Sequence, residues 1–311
     1  MYSDLFSGLA DRVVNVASVP QRSPFRYPGG KTWLVPYVRL WLSSITPPPR
    51  ELIESFAGGS IVGLTAAFEG LAKKVTLVEL DPDVAAVWKT ILRGDVRWLA
   101  NRVGTFDLKP DSAKSLLSSK PRTTKERAFV TIVRNRVQRG GILAPGAGLM
   151  KDGENGRGIG SRWYPATLSK RILDIAAIRE RIRFVEGDGV GYIEREMDRQ
   201  NVAFFIDPPY TVAGRRLYRY SEIDHRRLFW LAKRLSGSLL MTYDDSAEIR
   251  SLVREYRLDC ETISMKNTHN AKMMELVISR DLRWLRYPDT SQRVFREFFA
   301  QTGSGSLGSR L

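Results

Sequence analysis

The chain has 311 residues, with 49 Lys and Arg against 34 Asp and Glu, a formal net charge of +15, and 43% apolar residues. That apolar share is ordinary for a folded chain and too high for an intrinsically disordered one. One cysteine, Cys260, excludes an internal disulfide, and two histidines, His225 and His269, leave no four-ligand Cys/His zinc site, so no metal is expected. The apolar runs fall far short of the ~20 residues of a membrane span, and MYSDLFSGLADR lacks a basic start followed by an apolar run. The expectation is a soluble, cytoplasmic protein with no membrane partner, for which a polyanion is the first partner to consider.

In chain order, ELIESFA (51–57) reads as a strand and Ser60 to Gly70 as a helix; KVTLVEL (74–80) is a second strand. Asp81-Pro82 starts a helix, with Asp as N-cap and Pro in the first turn. RFVEG (183–187), a helix near 190–199, and VAFFID (202–207) follow, the last with the continuous apolar run of a strand buried on both faces. A helix over about 222–235, the strand SLLMTY (238–243) and a helix over about 246–256 come next. CETISMKN and AKMMELVIS, separated by Thr-His-Asn, read as a closing hairpin carrying Cys260 as a core residue. This alternation predicts an α/β fold: a Rossmann-like, doubly wound sheet with an antiparallel C-terminal hairpin. The Gly/Ser-rich tail QTGSGSLGSRL is expected to be disordered.

The charge is unevenly placed. Residues 89–183 hold 21 Lys and Arg and 8 Asp and Glu, net +13, against net +2 for all the rest. Basic residues there are interleaved with Trp98, Trp163, Tyr164 and a run of glycines. A solvated helix face accounts for a few such charges, but not for an imbalance confined to one segment. Nucleic-acid contact through phosphate neutralisation is the reading that fits. Arg134, Arg136 and Arg139 are candidate contacts, and Arg215, Arg216 and Arg219 are candidate phosphate clamps after the third strand-end site described next.

In doubly wound sheets ligands bind beyond the carboxyl ends of the strands, and three candidate sites lie there. Phe56-Ala57-Gly58-Gly59-Ser60 is a small-residue turn, with Gly63 one helical turn on. Glu79, followed by Leu80 and Asp81, can accept hydrogen bonds from a ribose diol. A dinucleotide G-x-G-x-x-G would need glycine at position 60, which is Ser, and this disfavours a nicotinamide cofactor. The sharpest element is Asp207-Pro208-Pro209-Tyr210. Two prolines give a rigid loop without N–H donors, so Asp207 and the Pro208 carbonyl can accept both N–H bonds of a planar amino group while Tyr210 stacks on its ring. His225, in SEIDHRRL, reads as a surface helix residue rather than a base.

These residues resemble the adenine-N6 DNA methyltransferases of the Dam type (D12 class). Phe25-Arg26-Tyr27-Pro28-Gly29-Gly30-Lys31 is similar to the family's F-x-Y-x-G-G-K element, the turn 56–60 to its F-x-G-x-G loop, and Asp207-Pro208-Pro209-Tyr210 to its catalytic tetrapeptide, in the same order. The resemblance implies S-adenosylmethionine as methyl donor. It also implies that Tyr27, Gly30 and Lys31 lie near that molecule, that Glu79 with Leu80 lies at the ribose, and that Asp188 contacts its adenine or methionine part. It further implies double-stranded DNA as substrate, a flipped-out adenine, a mainly helical target-recognition insert, and a cognate restriction endonuclease as a partner such enzymes can have. The corresponding boundaries are 1–94 and 184–289 for the catalytic part, 95–183 for the basic insert and 290–311 for the C-terminal segment. An N4-cytosine or RNA amino methyltransferase presents the same donor geometry and stays open. So does, from another class, a non-catalytic nucleic-acid-binding protein on the same scaffold.

Overall fold

The computed structural model describes residues 19–26, 30–144, 146–153, 156–210, 220, 222–266 and 272–287, without the side chains of 265, 266, 272 and 273. Seven strands form one sheet: β1 (Glu51–Glu54), β2 (Lys74–Glu79), β3 (Ile182–Glu186), β4 (Val202–Ile206), β5 (Ser238–Asp244), β6 (Asp259–Lys266) and β7 (Lys272–Ser279). Their order is β3-β2-β1-β4-β5-β7-β6. The first five pair in parallel, and β7 runs antiparallel between β5 and β6. The Rossmann-like sheet with an antiparallel C-terminal hairpin is therefore the fold of this chain. The Gly/Ser-rich tail lies outside the described residues.

Period-two alternation along the central strands divides the core in two. Leu52, Leu77, Ala203, Phe205 and Leu240 face one way, against α1 (Val35–Ser44), α2 (Ile61–Glu69) and α3 (Pro82–Leu92). Ile53, Val78, Phe204, Ile206 and Met241 face the other, against α8 (Gly189–Glu196), α9 (His225–Arg234) and α10 (Ala247–Glu255). Every residue of β4 is buried, as its unbroken apolar run requires. The Asp81-Pro82 start of α3 is as read: Asp81 accepts from the Asp83 N–H at 2.8 Å. Helix α1 was not legible in advance.

The basic insert is helical, with α4 (Val96–Thr105), α5 (Pro110–Ser118), α6 (Thr124–Val137) and α7 (Pro165–Ala177) between α3 and β3. Its Leu99, Phe129, Ile132, Leu168 and Ile172 lie in the same apolar cluster as Trp88 of α3 and Leu77 of β2. The insert thus buries its apolar stripe on the α3 side of the sheet. Among the described residues no helix is long and apolar enough to cross a membrane, and no group of three His, Cys, Asp or Glu is placed to hold a metal ion.

One close approach sets how α2 meets β1. The Gly63 N–H donates to Glu54 Oε2 at 2.9 Å, and a Cβ at position 63 would lie 2.5 Å from that oxygen and 2.7 Å from the Leu77 side chain. Gly63→Ala is expected to destabilise the fold by about 1–3 kcal/mol through overpacking, read as a lowered denaturation midpoint in urea at unchanged slope.

Candidate functional site

Because β1, β2, β4 and β5 run in parallel, their carboxyl ends share one edge of the sheet. β1 and β4 are neighbours whose connections diverge, which makes this edge the crevice where such folds place ligands. Asp207 leaves β4 there and is held from three directions. Its Oδ1 accepts from Thr242 Oγ1 of β5 at 2.8 Å and lies 3.0 Å from Lys31 Nζ and 3.3 Å from the Tyr210 hydroxyl. Among the described residues no donor meets Oδ2. One oxygen is anchored, so the carboxylate has a fixed direction in which to present the other.

Lys31 begins a short 3-10 turn (Lys31–Leu34) leading into α1 and is only 4% exposed. A buried ammonium is costly unless paired, and Lys31 has two carboxylates: Asp207 and, at 3.5 Å, Glu275 Oε2. Glu275 lies on β7 opposite Asp244 at the end of β5, so the antiparallel hairpin delivers it to the carboxyl edge. It also accepts from the Tyr210 hydroxyl at 3.0 Å. Burial pushes its carboxyl up, while Lys31 opposes that shift. The Tyr210 ring lies 5.0 Å from Lys31 Nζ and stacks on Tyr243 with centroids 5.8 Å apart and planes at 27°. Tyr243 OH lies 2.8 Å from His225 Nδ1. His225 is thus half-buried on Tyr243, where burial lowers its pKa, and is not the surface residue its sequence context implied. Cys260 is half-buried on β6 against the second cluster.

The turn after β1 is built around two carboxylates, Glu54, which is buried, and Glu79, which is half-buried. Gly58 and Ser60 both adopt positive φ, 45° and 50°. Glu54 at the end of β1 accepts from Ser60 Oγ as well as from Gly63 N–H, and burial pushes it up to about 8. Glu79 accepts from the Gly58 and Asp81 N–H groups at 2.8 Å each, and desolvation raises it to about 7. Leu80 beside it is 42% exposed. Ala57 donates its N–H to the Val78 carbonyl at 2.9 Å, joining the turn to β2. Phe56 is half-buried, and Gly59 and Ser60 complete the turn. Ser55 Oγ is buried without a hydrogen-bond partner. Asp188 caps α8, accepting from Val190 and Gly191 N–H, and is exposed. Pro208 is buried, Pro209 half-buried and Gly30 exposed. Tyr27, Arg215, Arg216 and Arg219 lie outside the described residues.

The three insert arginines part company. Arg139 is exposed. Arg134 is half-buried, with Nη1 3.2 Å from Asp83 Oδ2 on α3. Arg136 corrects the surface expectation: it is 3% exposed, and its guanidinium donates to the Pro24 carbonyl at 2.7 Å. The reason is Asn135 beside it. Its Oδ1 accepts from Arg26 N–H at 2.8 Å, and its Nδ2 donates to the Arg26 and Gly141 carbonyls at 2.9 and 2.8 Å. Residues 23–26 are thereby laid over the end of α6, covering Arg136.

Of the carboxylates along this edge, sequence reasoning singled out Asp207 and Glu79 and missed Glu54 and Glu275. The available signal was a Glu next to buried apolar strand residues, Glu54 after Leu52-Ile53 and Glu275 within MMELVIS, because a charge is placed there only with a partner.

No protein-family model matches the sequence, and no curated protein does. Among solved structures, the chain is similar to a proposed RNA methyltransferase from Pyrococcus horikoshii, at 11% identity over 89% of this chain and 96% of that one, TM-score 0.38. It is also similar to precorrin-6y C5,15-methyltransferase from Geobacter metallireducens, at 8% identity over 79% and 87% of the two chains, TM-score 0.34. A third is a geranyl diphosphate methyltransferase bound to GPP and sinefungin, at 10% identity over 79% and 78%, TM-score 0.32.

Glu54 and Glu79 make stability depend on pH. A carboxyl whose folded pKa lies above its unfolded value binds its proton more tightly when folded. Its favourable contribution is full below the ordinary 4.5 and is lost as pH rises toward about 8 for Glu54 and about 7 for Glu79. The unfolding free energy is therefore expected to fall across that window, and Glu54→Gln to flatten the decline, measured by urea titrations at several pH values.

Proposed function

We propose that the chain is an S-adenosylmethionine-dependent DNA methyltransferase acting on N6 of an adenine flipped out of the duplex. The observation that carries the reading is the Asp207 carboxylate at the crevice, with Oδ1 fixed by Lys31, Thr242 and Tyr210 and Oδ2 without a donor among the described residues. An exocyclic amine offers two N–H groups. Asp207 Oδ2 accepts one and the carbonyl of Pro208 the other, in a loop whose prolines supply no competing N–H. The nitrogen lone pair of adenine is delocalised into the ring. Two acceptors on its hydrogens favour a more tetrahedral nitrogen and stabilise the positive charge it gains. The resemblance of the three sequence elements selects adenine, and the net +13 of residues 89–183 supports a polyanionic substrate.

The residues along the carboxyl edge fit S-adenosylmethionine in kind. Each Glu79 oxygen accepts one backbone N–H and keeps a lone pair for a ribose hydroxyl. Exposed Leu80 offers an apolar surface to a ring, and Ser55 Oγ is a buried hydroxyl with its hydrogen-bonding capacity unspent. Glu79, Leu80, the turn 56–60 and Asp188 would hold the molecule, which when bound supplies an electrophilic methyl group. The protein's own part is alignment and exclusion of water. Lys31 keeps Asp207 in place, and the Tyr210 ring, already packed on Tyr243, offers a face to a flipped base.

The test is chemical. DNA from a host without its own adenine methylation, expressing this chain, is digested to nucleosides and examined by mass spectrometry. N6-methyladenine is expected, and Asp207→Ala should lower its formation about 100-fold or more while S-adenosylmethionine still binds by calorimetry. N4-methylcytosine would move the target to cytosine. Methylated RNA with unmodified DNA would move the substrate to RNA.

A further inference from the structure

Glu275 is the carboxylate of the catalytic edge that the amine-binding geometry of Asp207 does not use. It is 3% exposed, and Lys31, between it and Asp207, is 4% exposed. Lys31 Nζ lies 3.0 Å from Asp207 Oδ1 and 3.5 Å from Glu275 Oε2, and the Tyr210 hydroxyl lies 3.3 and 3.0 Å from the same two oxygens. Two carboxylates thus share one ammonium, and among the described residues the group carries one negative charge in excess. The cross-strand neighbours of Glu275 are Asp244 on β5 and Ile263 on β6, so neither neighbouring strand brings a cation. A buried charge in excess is costly until a positive charge meets it. One such charge is a proton: burial pushes the Glu275 carboxyl up, with Lys31 and the Tyr210 hydroxyl opposing the rise and Asp207 adding to it. The other is the charge that develops on a methylated amine.

We propose that Glu275 is a positioning residue that acts through Lys31 by its charge, keeping the Asp207 pocket one unit negative so that the charge gained by the amine nitrogen is stabilised. The inference rests on the function proposed above and deepens it. In the transfer the amine lone pair forms the new N–C bond while the electron pair of the breaking C–S bond stays on sulfur. Positive charge moves from sulfur to nitrogen, and one N–H proton then leaves to water. With Glu275 ionised, that charge moves toward an uncompensated negative one. With Glu275 protonated, it moves toward a Lys31–Asp207 pair that is already neutral. The rate therefore requires the ionised form and rises with pH as the Glu275 proton leaves, above the ordinary carboxylate value of 4.5.

The experiment follows single-turnover methylation of unmethylated genomic DNA from about pH 5 to about pH 8, a range that spans a raised carboxyl. The parental rate should rise with pH across it. Glu275→Gln keeps an acceptor for Tyr210 and Lys31 but no charge. It should be about 10-fold slower at neutral pH and lose the rise, with DNA affinity unchanged. On the protein alone, carbon NMR of labelled glutamates should show a carboxyl, absent from Glu275→Gln, that titrates above the ordinary range and is ionised at neutral pH. A variant with the parental rate and profile would overturn the proposal, as would a Glu275 carboxyl still protonated at neutral pH. A slower variant with the parental pH profile would leave Glu275 a structural part only and overturn it too. Should Glu275→Gln not fold, the parental profile decides, and a rate flat over this range overturns the proposal. Absence of methylated bases in DNA at every pH would sink the functional reading while leaving the NMR titration readable, so the two failures are distinguishable.

Discussion

The Lys31 ammonium, buried between the carboxylates of Asp207 and Glu275, is the interaction on which the arrangement of the site depends. It joins three parts of the chain: the 3-10 turn before α1, the loop leaving β4, and the hairpin strand β7. A buried ammonium with one carboxylate would be a simple pair. With two, its position is set by both, and Tyr210, which bonds to both carboxylates, is set with it. The Asp207 carboxylate is then oriented by the fold before any substrate arrives, which is the economy that preorganised sites exploit.

That arrangement presupposes the strand order. If the closing hairpin followed β5 in parallel, the residue now at Glu275 would not register with Asp244 at the carboxyl edge. The antiparallel insertion of β7 between β5 and β6 is therefore a functional feature as well as a topological one. The carboxylates of Glu54 and Glu79, at the ends of neighbouring β1 and β2, continue the same row. Their raised pKa values reflect burial first, with further carboxylates adding to it.

The strands, the α3 cap and the Asp207 loop were legible in the sequence because each has a local cause: period, Asp-Pro, tandem proline. Glu275 was not, since its role exists only through the pairing of β7 with β5, and strand order is not written in either strand. Arg136 was misread for a related reason. A charge count weighs an inward arginine like an outward one, and only the cover of residues 23–26 decides which this is. His225 likewise owes its burial to Tyr243, which is 18 positions away.

The two-sided grip of Asn135 on the Arg26 backbone behaves as a single rung of β ladder supplied by a side chain, and Gly141 admits it closely enough that a Cβ there would stand 2.2 Å from the Arg26 carbonyl oxygen. The end of α6 and residues 23–26 are in consequence one interlocked part, though 109 positions separate Asn135 from Arg26 in the chain. The insert is not a cassette that can be lifted out at its two ends and exchanged for another. Any recombination that replaces it has to bring residues 23–26 along, so the natural unit of exchange in this architecture is discontinuous.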